Sequence, residues 1–403
     1  MNNRLVMFTN DAQIDRRILL QADSLQAAGW QVTIVGLPQP GVRDDPRVAR
    51  ARDGGPNPMA WERLVLRVYR GLRSVLGAGP LLTWLRSIGW RYFLDQEKFF
   101  VRLYAQEVSQ YPADVVVAHD LPMLPVAMHA ARTHGAKVAY DSHELFAEQE
   151  FSTLEKGRWR AMETKFISRC DLVTTVNPSI ARELQARYGL DRVGVIYNAE
   201  RCGPLPARER RFHAAFGLPT AARVLLFQGG FSVGRQLEHL VAAMASVRTP
   251  DVHLVLLGDG QLRQPLQQQV AAAGLQGRVH LHPAVPQSQL LAWTAAADAG
   301  VIPYQPTCLN NLYCTPNKLF EFIAAGLPIL ASDLPEIRAI VSGHGIGQLA
   351  DLSSTDTIAR AIDEFFADPA RLKAWRGAVL RVRQFLNWDV EGAKVVQLYE
   401  SLR

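Results

Sequence analysis

Short apolar runs alternate with stretches of helical periodicity along almost the whole chain. Between the first two runs, residues 15–28 carry apolar side chains at helical spacing, and Gly29 follows as a stop signal. This spacing predicts a β-α-β unit. Since strands that alternate with helices form parallel sheets covered on both faces, the fold class is predicted to be α/β. The predicted strands of the first half are 5–8, 31–35, 114–118, 137–140, 172–175 and 193–197.

A second alternation follows the segment 201–211, whose glycine and prolines are typical of a linker. Because 403 residues exceed the roughly 250 to 300 at which single cores stop growing, two tandem doubly wound domains are expected. We predict limits of 1–203 and 204–385, with a closing helix over 386–403 that packs back on the first domain. The predicted strands of the second half are 224–227, 252–257, 279–282, 300–302, 328–331 and 346–349, with helices over 237–247 and 261–273.

A helical insertion over about residues 57–108 interrupts this scheme. The net charge of +6 is concentrated between Arg50 and Ala105, a stretch that contains ten basic residues and four acidic ones. One interpretation is an interfacial helix, within residues 59–104, on an anionic membrane. The other is a solvated face on an inserted helical pair. A nucleic-acid binder would spread basic residues over a reading surface, so no nucleic-acid partner is expected.

Several classes of protein are excluded by missing signals. The chain passes from Met1 directly into an apolar strand and has no run near the 18 to 20 residues that span a bilayer, which predicts a cytoplasmic protein. The four cysteines have no paired spacing, so structural zinc and disulfides are not expected. The HExxH, P-loop, GxSxG and Asp-x-Asp patterns are absent, and we predict no cofactor.

Residues 316–321 combine a proline, a cation, a carboxylate and a helix start. The first N–H groups of a helix lack intrahelical partners, so this start is a ready anion site, and Lys318 adds a positive charge. Glu321, one turn into the helix, can accept both hydrogen bonds of a ribose diol. Its alternative role is to favour the helix dipole.

Two glycine-rich turns follow strands of the second half. Gly229 and Gly230 precede Arg235 at a helix entrance, where backbone N–H groups and a guanidinium can bind a pyrophosphate. Residues 258–260 form Gly-Asp-Gly at the carboxyl end of another strand, where open α/β sheets bind ligands. Tight turns use the same residues, so each turn also has a purely structural interpretation.

Histidines stand beside acids at two strand ends of the first half, as His119-Asp120 and His143-Glu144. A lone histidine is more often structural. Two at parallel strand ends favour contact with a substrate.

Taken together, these motifs resemble the retaining glycosyltransferases of family 4, a GT-B group that builds bacterial surface polysaccharides such as O-antigen, capsule and exopolysaccharide. The resemblance covers nearly the full length. It implies two Rossmann-like domains that face an interdomain cleft, with the C-terminal helix crossing back to the first domain. It also implies a nucleotide-sugar donor, most simply a UDP-sugar, a glycan or lipid-linked glycan acceptor, and no need for a metal. Such an enzyme would work in the cytoplasm or at the cytoplasmic face of the inner membrane.

The resemblance also implies roles for individual residues. Arg235 and Lys318 would bind the donor diphosphate, Glu321 the ribose, and His119 the donor sugar near the reacting carbon. Further donor contacts would come from Gly229, Gly230, Gly258, Asp259, Gly260, Pro283, Ala284, Val285, Pro316, Asn317 and Leu319. Acceptor-side or sugar contacts would come from Asn10, Asp11, Asp15, Arg16, Asp120, His143, Glu144, Asn198 and Tyr313.

Three positions depart from the family pattern. Tyr313 stands where a second carboxylate is usual, Gly230 where a second diphosphate arginine is usual, and residues 9–12 replace a glycine pair. The predicted function is therefore a retaining, metal-independent hexosyltransferase (EC 2.4) whose donor sugar is unspecified. Two alternatives stay open, a nucleotide-sugar 2-epimerase and an inactive sugar-nucleotide-binding scaffold.

Overall fold

The structure is a computed structural model that describes residues 3–37, 45–51 and 95–403. It divides into two compact units. The first comprises Met1–Val176, Ala181–Val195 and Lys394–Arg403, and the second comprises Asn177–Ile180 and Ile196–Ala393. The predicted domain limits remain predictions, because these units reflect packing and not the folding of separated pieces.

The first unit contains a seven-stranded sheet in the order β3-β2-β1-β4-β5-β6-β7, with every neighbouring pair parallel. Its strands β4 and β5 are buried almost throughout, as expected when helices cover both faces. All six predicted strands are found, although the last is only two residues long. The short edge strand β3 was not predicted. The strands are β1 (Arg4–Phe8), β2 (Gln31–Gly36), β3 (Val48–Arg50), β4 (Val115–His119), β5 (Lys137–Ser142), β6 (Leu172–Thr175) and β7 (Gly194–Val195).

Helices of this half begin and end at recognisable signals. The Asp15 carboxylate caps the first helix, Ser152 and Glu155 form a capping box, and Gly135 ends a helix with φ of 69°. Of the predicted insertion over 57–108, residues 57–94 lie outside the described part of the chain. The helices are α1 (Arg16–Ala27), α2 (Gln96–Leu103), α3 (Ala105–Gln110), α4 (Leu124–His134), α5 (Thr153–Phe166) and α6 (Pro178–Tyr188).

The second unit contains a six-stranded parallel sheet in the order β10-β9-β8-β11-β12-β13. Its strands β9, β11 and β12 are entirely buried. The prediction of a second doubly wound domain is confirmed, and the six strands lie within a residue of their predicted bounds. They are β8 (Arg223–Gln228), β9 (Val252–Leu257), β10 (Val279–His282), β11 (Ala299–Ile302), β12 (Ile329–Ser332) and β13 (Gly347–Ala350).

The helices of the second half cover this sheet. They are α7 (Arg211–Phe216), α8 (Leu237–Ala243), α9 (Arg263–Ala272), α10 (Gln287–Ala295), α11 (Leu309–Leu312), α12 (Asn317–Ala325), α13 (Pro335–Val341), α14 (Thr355–Phe366), α15 (Pro369–Val382) and α16 (Trp388–Glu400).

The closing helix α16 joins both units, as predicted. Its residues up to Ala393 belong to the second unit and those from Lys394 to the first. There Leu398 packs against Gly194, and the Arg403 guanidinium lies 4.9 Å from the centre of the Trp30 ring. Within the described ranges, none of the helices combines the length and the apolar character needed to cross a bilayer.

Candidate functional site

The two predicted glycine-rich turns of the second unit are in direct contact. Gly229 donates its backbone N–H to Leu257 (2.9 Å), and Phe231 donates to Asp259 (2.8 Å). Because β8 and β9 are adjacent and parallel, their carboxyl ends bring both turns to one edge of the sheet.

Glycine is required where the turns touch. A Cβ atom on Gly258, whose φ is +155°, would lie 1.9 Å from the Gly229 carbonyl oxygen, and one on Gly260 would lie 2.5 Å from the Phe231 carbonyl oxygen. A side chain at either position would clash with backbone, which cannot move aside as a flexible side chain does. By contrast, a Cβ on Gly230 would meet nothing within 4 Å. Gly258 and Gly260 therefore serve the turn-to-turn contact, and Gly230 serves no such packing.

Two cations of the site share one tyrosine. The Arg235 guanidinium lies 4.1 Å from the centre of the Tyr304 ring, and the Lys318 ammonium lies 4.5 Å from it. Lys318 is 93% buried, donates a hydrogen bond to the Tyr304 hydroxyl and lies 4.9 Å from the Phe227 ring centre. Neither cation forms an ion pair with a carboxylate in the described part of the chain. Burying a charge without a counter-charge is costly, so this pair is suited to an external anion.

Glu321 is held by a chain of hydrogen bonds. The Gln228 amide donates to the Glu321 carboxylate, and the Thr294 hydroxyl, 2.8 Å from the Gln228 side-chain oxygen, donates in turn to that oxygen. Gln228 and Thr294 are both fully buried, whereas Glu321 is half-buried. The carboxylate is therefore fixed on one side and retains lone pairs on the other for a ligand hydroxyl.

Helix α12 carries the remaining donor-site candidates. Pro316 is its N-cap residue, and no side chain caps its first N–H groups. Asn317 accepts a 2.6 Å hydrogen bond from Asn198, while Leu319 is buried in the core. Tyr313 precedes the helix, and its carbonyl accepts a 2.7 Å hydrogen bond from Asn177.

Residues 283–285 form the turn between β10 and α10. His282, at the end of that strand, lies with its Nδ1 2.8 Å from the Pro283 carbonyl oxygen. The structure therefore brings Gly229, Arg235, Gly258, Lys318 and Glu321 to one edge of the second sheet. Their functional roles remain predictions.

His119 and His143 converge on one carboxylate, Asp141, that was not among the predicted site residues. The Asp141 Oδ2 atom lies 3.2 Å from His119 Nδ1, 3.1 Å from His143 Nε2 and 2.7 Å from the Gln21 amide nitrogen. Thr174 donates a 2.9 Å hydrogen bond to the other oxygen of Asp141. Both oxygens of this buried carboxylate thus accept hydrogen bonds.

Asp120 supports the second histidine. Its carboxylate accepts from the His143 backbone N–H (2.9 Å) and lies 3.1 Å from His143 Nδ1. Its own backbone is strained, with φ of +64°, which is rare outside glycine. The strain is tolerated because Asp120 also donates its backbone N–H to the Asp141 carbonyl (3.0 Å).

The charges of this cluster balance one another. Burial and the nearby Arg17 oppose protonation of His143, but the carboxylates of Asp120 and Asp141 outweigh them and raise its pKa to about 10. Burial lowers the pKa of His119. Burial opposes ionisation of Asp141, yet His143 and His119 hold its pKa well below the usual range. At neutral pH, His143 is therefore charged, His119 is neutral, and Asp141 is ionised.

The same cluster has the composition of a metal site. His119, Asp141 and His143 offer ligand atoms that lie within 4.8 Å of one another. A metal binds neutral imidazole, so it would have to displace the proton of His143, whose pKa is about 10. These residues fit a hydrogen-bonded network with a protonated His143 better than they fit a metal site. The expected absence of a metal remains a prediction.

The other predicted residues of the first unit have local partners. Asp15 caps α1 and forms a 3.2 Å ion pair with Arg17, and although burial opposes ionisation, Arg17 and His143 lower its pKa to about 2. Asp11 accepts a 2.9 Å hydrogen bond from Thr9, and Glu144 accepts one of 2.5 Å from Gln149. Arg16 opens α1, and Asn10 lies half-buried just after β1.

Several residues of these arrangements were missed from the sequence. Asp141 lies inside a buried strand, where the apolar residues beside it conceal its role, although its place two residues before His143 was a usable signal. Gln228 and Tyr304 each stand at or just after a strand end, but neither belongs to a charged motif. Gln21 and Thr174 have no sequence signal, since only the fold brings them to Asp141.

Each half of the chain matches a known domain-family model. Residues 14–199 match the model described as "Glycosyl transferase 4-like domain", and residues 222–368 match the model described as "Glycosyl transferases group 1". One curated relative is a D-inositol 3-phosphate glycosyltransferase of Thermobispora bispora, 29% identical over 59% of this chain and 57% of the relative. Another is a lipopolysaccharide core biosynthesis glycosyltransferase of Rhizobium meliloti, 27% identical over 50% of this chain and 56% of the relative. The matched region thus spans little more than half the length of these two relatives.

Solved structures resemble the chain over its whole length. A sucrose-phosphate synthase from Thermosynechococcus elongatus has a TM-score of 0.75 at 18% identity, with 99% of each chain covered. Anabaena HepE, solved in complex with UDP and glucose, has a TM-score of 0.71 at 15% identity, again with 99% of each chain covered. At these identities the likeness establishes the fold, two Rossmann-like domains of the GT-B type.

Proposed function

Because residues 14–199 match a glycosyl transferase 4-like domain and residues 222–368 match a glycosyl transferases group 1 domain, we propose that the protein is a glycosyltransferase with a nucleotide-sugar donor. The donor is a UDP-sugar, and the acceptor is a hydroxyl of a glycan or lipid-linked glycan in surface polysaccharide synthesis. A lipopolysaccharide core enzyme among the relatives supports this choice of acceptor.

One observation carries the proposal. Arg235 and Lys318 converge on Tyr304 without a carboxylate partner in the described ranges, beside two glycine turns that expose backbone. A nucleoside diphosphate supplies the anion that these cations lack, and Glu321 lies one helical turn beyond Lys318 to accept a diol. A lone phosphate would leave that carboxylate without a function.

The proposed reaction proceeds with retention and without a metal. The acceptor oxygen attacks the anomeric carbon on the face from which the diphosphate departs, and the departing diphosphate takes the acceptor proton. Arg235 and Lys318 stabilise the negative charge that develops on the diphosphate as the glycosidic bond breaks. This is the charge that a divalent cation neutralises in other transferases.

A donor screen tests the proposal. The right nucleotide sugar raises the melting temperature of the full chain by mass action, and transfer is then measured with that donor across a panel of glycan acceptors. Arg235→Ala is expected to lower turnover, because it removes about 2 to 4 kcal/mol of transition-state stabilisation. Near-normal turnover in that variant would remove Arg235 from the diphosphate site. Interconversion of UDP-N-acetylglucosamine without any acceptor would instead identify an epimerase, and binding without transfer would identify a scaffold.

We also propose that the basic stretch within residues 59–104 binds anionic membrane, on the basis of the charge concentrated between residues 50 and 105. Liposomes that contain phosphatidylglycerol should bind the protein in a salt-sensitive manner, and neutralising Arg63, Arg67, Arg70 and Arg73 should weaken that binding. Equal binding to neutral liposomes would contradict an electrostatic contact.

A further inference from the structure

Lys318 and Glu321 stand three residues apart on α12, a spacing that places two side chains side by side on one helix face. Opposite charges at this spacing commonly form an ion pair. Both residues are described, and they form none with each other. Instead, the Lys318 ammonium turns to the Tyr304 hydroxyl and the Glu321 carboxylate turns to the Gln228 amide.

The two partners that separate these charges are themselves fixed. Tyr304 is 95% buried just after β11, and its ring also packs against the Arg235 guanidinium at 4.1 Å. Gln228 is 99% buried as the last residue of β8. Two partners set the orientation of its amide. The Glu321 carboxylate can only accept, so it takes the amide N–H, and the amide oxygen is left to accept from the Thr294 hydroxyl. That hydroxyl also lies 2.8 Å from the Leu290 carbonyl, so its single hydrogen is shared between two acceptors.

An ion pair between Lys318 and Glu321 would impair both the diphosphate-binding and the ribose-binding parts of the site. The ammonium would lose its availability to a diphosphate, and the carboxylate would lose lone pairs that a diol needs. We propose that Gln228 and Tyr304 are positioning residues that keep Lys318 and Glu321 apart, so that one recognises the diphosphate and the other the ribose of the donor. This inference builds on the proposed function and adds to it how ribose is distinguished from deoxyribose.

Binding of UDP, UMP and 2′-deoxy-UDP to the full chain, measured by calorimetry, separates these contributions. The wild-type protein should bind UDP roughly tenfold more tightly than 2′-deoxy-UDP, the ratio expected for one lost hydrogen bond to a charged group. Gln228→Met, which matches the side-chain length without the amide, should reduce that ratio to about twofold, since Glu321 then pairs with Lys318. Tyr304→Phe, which keeps the ring, should reduce the ratio of the UDP affinity to the UMP affinity by about fivefold to tenfold.

A second substitution distinguishes positioning from general damage. Adding Lys318→Met to Gln228→Met removes the cation with which Glu321 would form an ion pair. The preference for UDP over 2′-deoxy-UDP should then return, although the overall affinity for UDP stays low. Thr294→Val, which removes only the hydroxyl that orients Gln228, should give a partial loss and serves if Gln228→Met does not fold. Tyr188→Phe is the matched control, because it deletes a tyrosine hydroxyl bonded to Glu163 in the first unit and should leave all three affinities unchanged.

The outcomes separate this inference from the proposed function. If Glu321→Gln loses discrimination while Gln228→Met and Tyr304→Phe bind all three nucleotides as the wild type does, the positioning roles are wrong and the donor site stands. Failure of Lys318→Met to restore discrimination would also refute the separation of charges. If Glu321→Gln discriminates as the wild type does, Glu321 does not bind ribose, and both the ribose assignment and the inference are refuted.

Discussion

The charged clusters of the two units balance their charges in opposite ways. In the first unit, Asp120 and Asp141 surround a protonated His143, and Arg17 pairs with Asp15, so each buried charge has a counter-charge within the cluster. In the second unit, Arg235 and Lys318 face a tyrosine ring and hydroxyl. The first cluster is a closed network, in which opposite charges pair with one another and stabilise its geometry. The second is an open cluster, whose cations have no carboxylate partner in the described structure and can bind an anion. The difference indicates which cluster is built to bind a charged ligand and which to hold side chains in place.

Opening the closed network should have the largest effect on stability. Asp141→Asn removes a buried charge that His119, His143, Gln21 and Thr174 all contact, and we expect a loss of about 3 to 5 kcal/mol in the free energy of unfolding. Chemical denaturation measures it. Asp351→Asn is the control, since that exposed carboxylate accepts a 2.9 Å hydrogen bond from the Ser353 backbone N–H and its loss should cost less than about 1 kcal/mol. Equal stability of the Asp141 variant and the wild type would contradict the charge-balanced network.

The contact between the glycine turns should be the next most sensitive feature. Gly258→Ala places a methyl group 1.9 Å from the Gly229 carbonyl oxygen at φ of +155°, and we expect a loss of about 2 to 4 kcal/mol in the free energy of unfolding. Gly230→Ala is the matched control, because nothing lies within 4 Å of its Cβ and its stability should change little. Similar melting temperatures for the two variants would show that the turns are not in the close contact described.

The closed network should also respond to pH. Since the pKa of His143 is raised from 6.5 to about 10, the folded protein holds a proton that the unfolded chain has released between these values. The contribution of His143 to the free energy of unfolding is therefore complete below pH 6.5 and should be lost progressively as the pH rises to about 10. Denaturation at a series of pH values, compared with His143→Gln, isolates this contribution. A variant with the same alkaline slope as the wild type would exclude His143 as its source.

The open cluster should show the smallest change, with the opposite sign. Lys318→Met removes a buried ammonium that has a hydroxyl but no carboxylate partner in the described structure, so the free energy of unfolding should rise by about 1 kcal/mol while UDP binding weakens. Melting curves with and without UDP measure both effects. If Lys318→Met is less stable than the wild type in the absence of UDP, then Lys318 stabilises the fold and is not primarily an anion-binding residue.

Much of the fold could be predicted because strand and helix periods are local properties. Runs such as 115–118 and 252–257 are buried on both sheet faces, and such runs can be read directly from the sequence. The edge strand β3 could not be predicted, because its three half-buried residues carry no apolar pattern.

The sites were predictable only where the charges themselves mark them. Arg235, Lys318 and Glu321 stand at motif positions, so they could be named in advance. The roles of Tyr304, Gln228 and Asp141 follow from which side chain each one meets, and those partners lie between 2 and 120 residues away in the chain. Apart from the two-residue step from Asp141 to His143, these pairings cannot be predicted from sequence spacing.

Calorimetric titration of UDP into the wild type, Arg235→Ala and Tyr188→Phe tests the central claim most directly, namely that the open cluster binds a nucleoside diphosphate. We expect saturable binding to the wild type, unchanged binding to Tyr188→Phe, and an affinity for Arg235→Ala reduced by at least roughly tenfold, as the loss of one charge-assisted hydrogen bond implies. Absence of UDP binding in the wild type, with no other nucleoside diphosphate in its place, or equal affinities in all three proteins, would contradict the account.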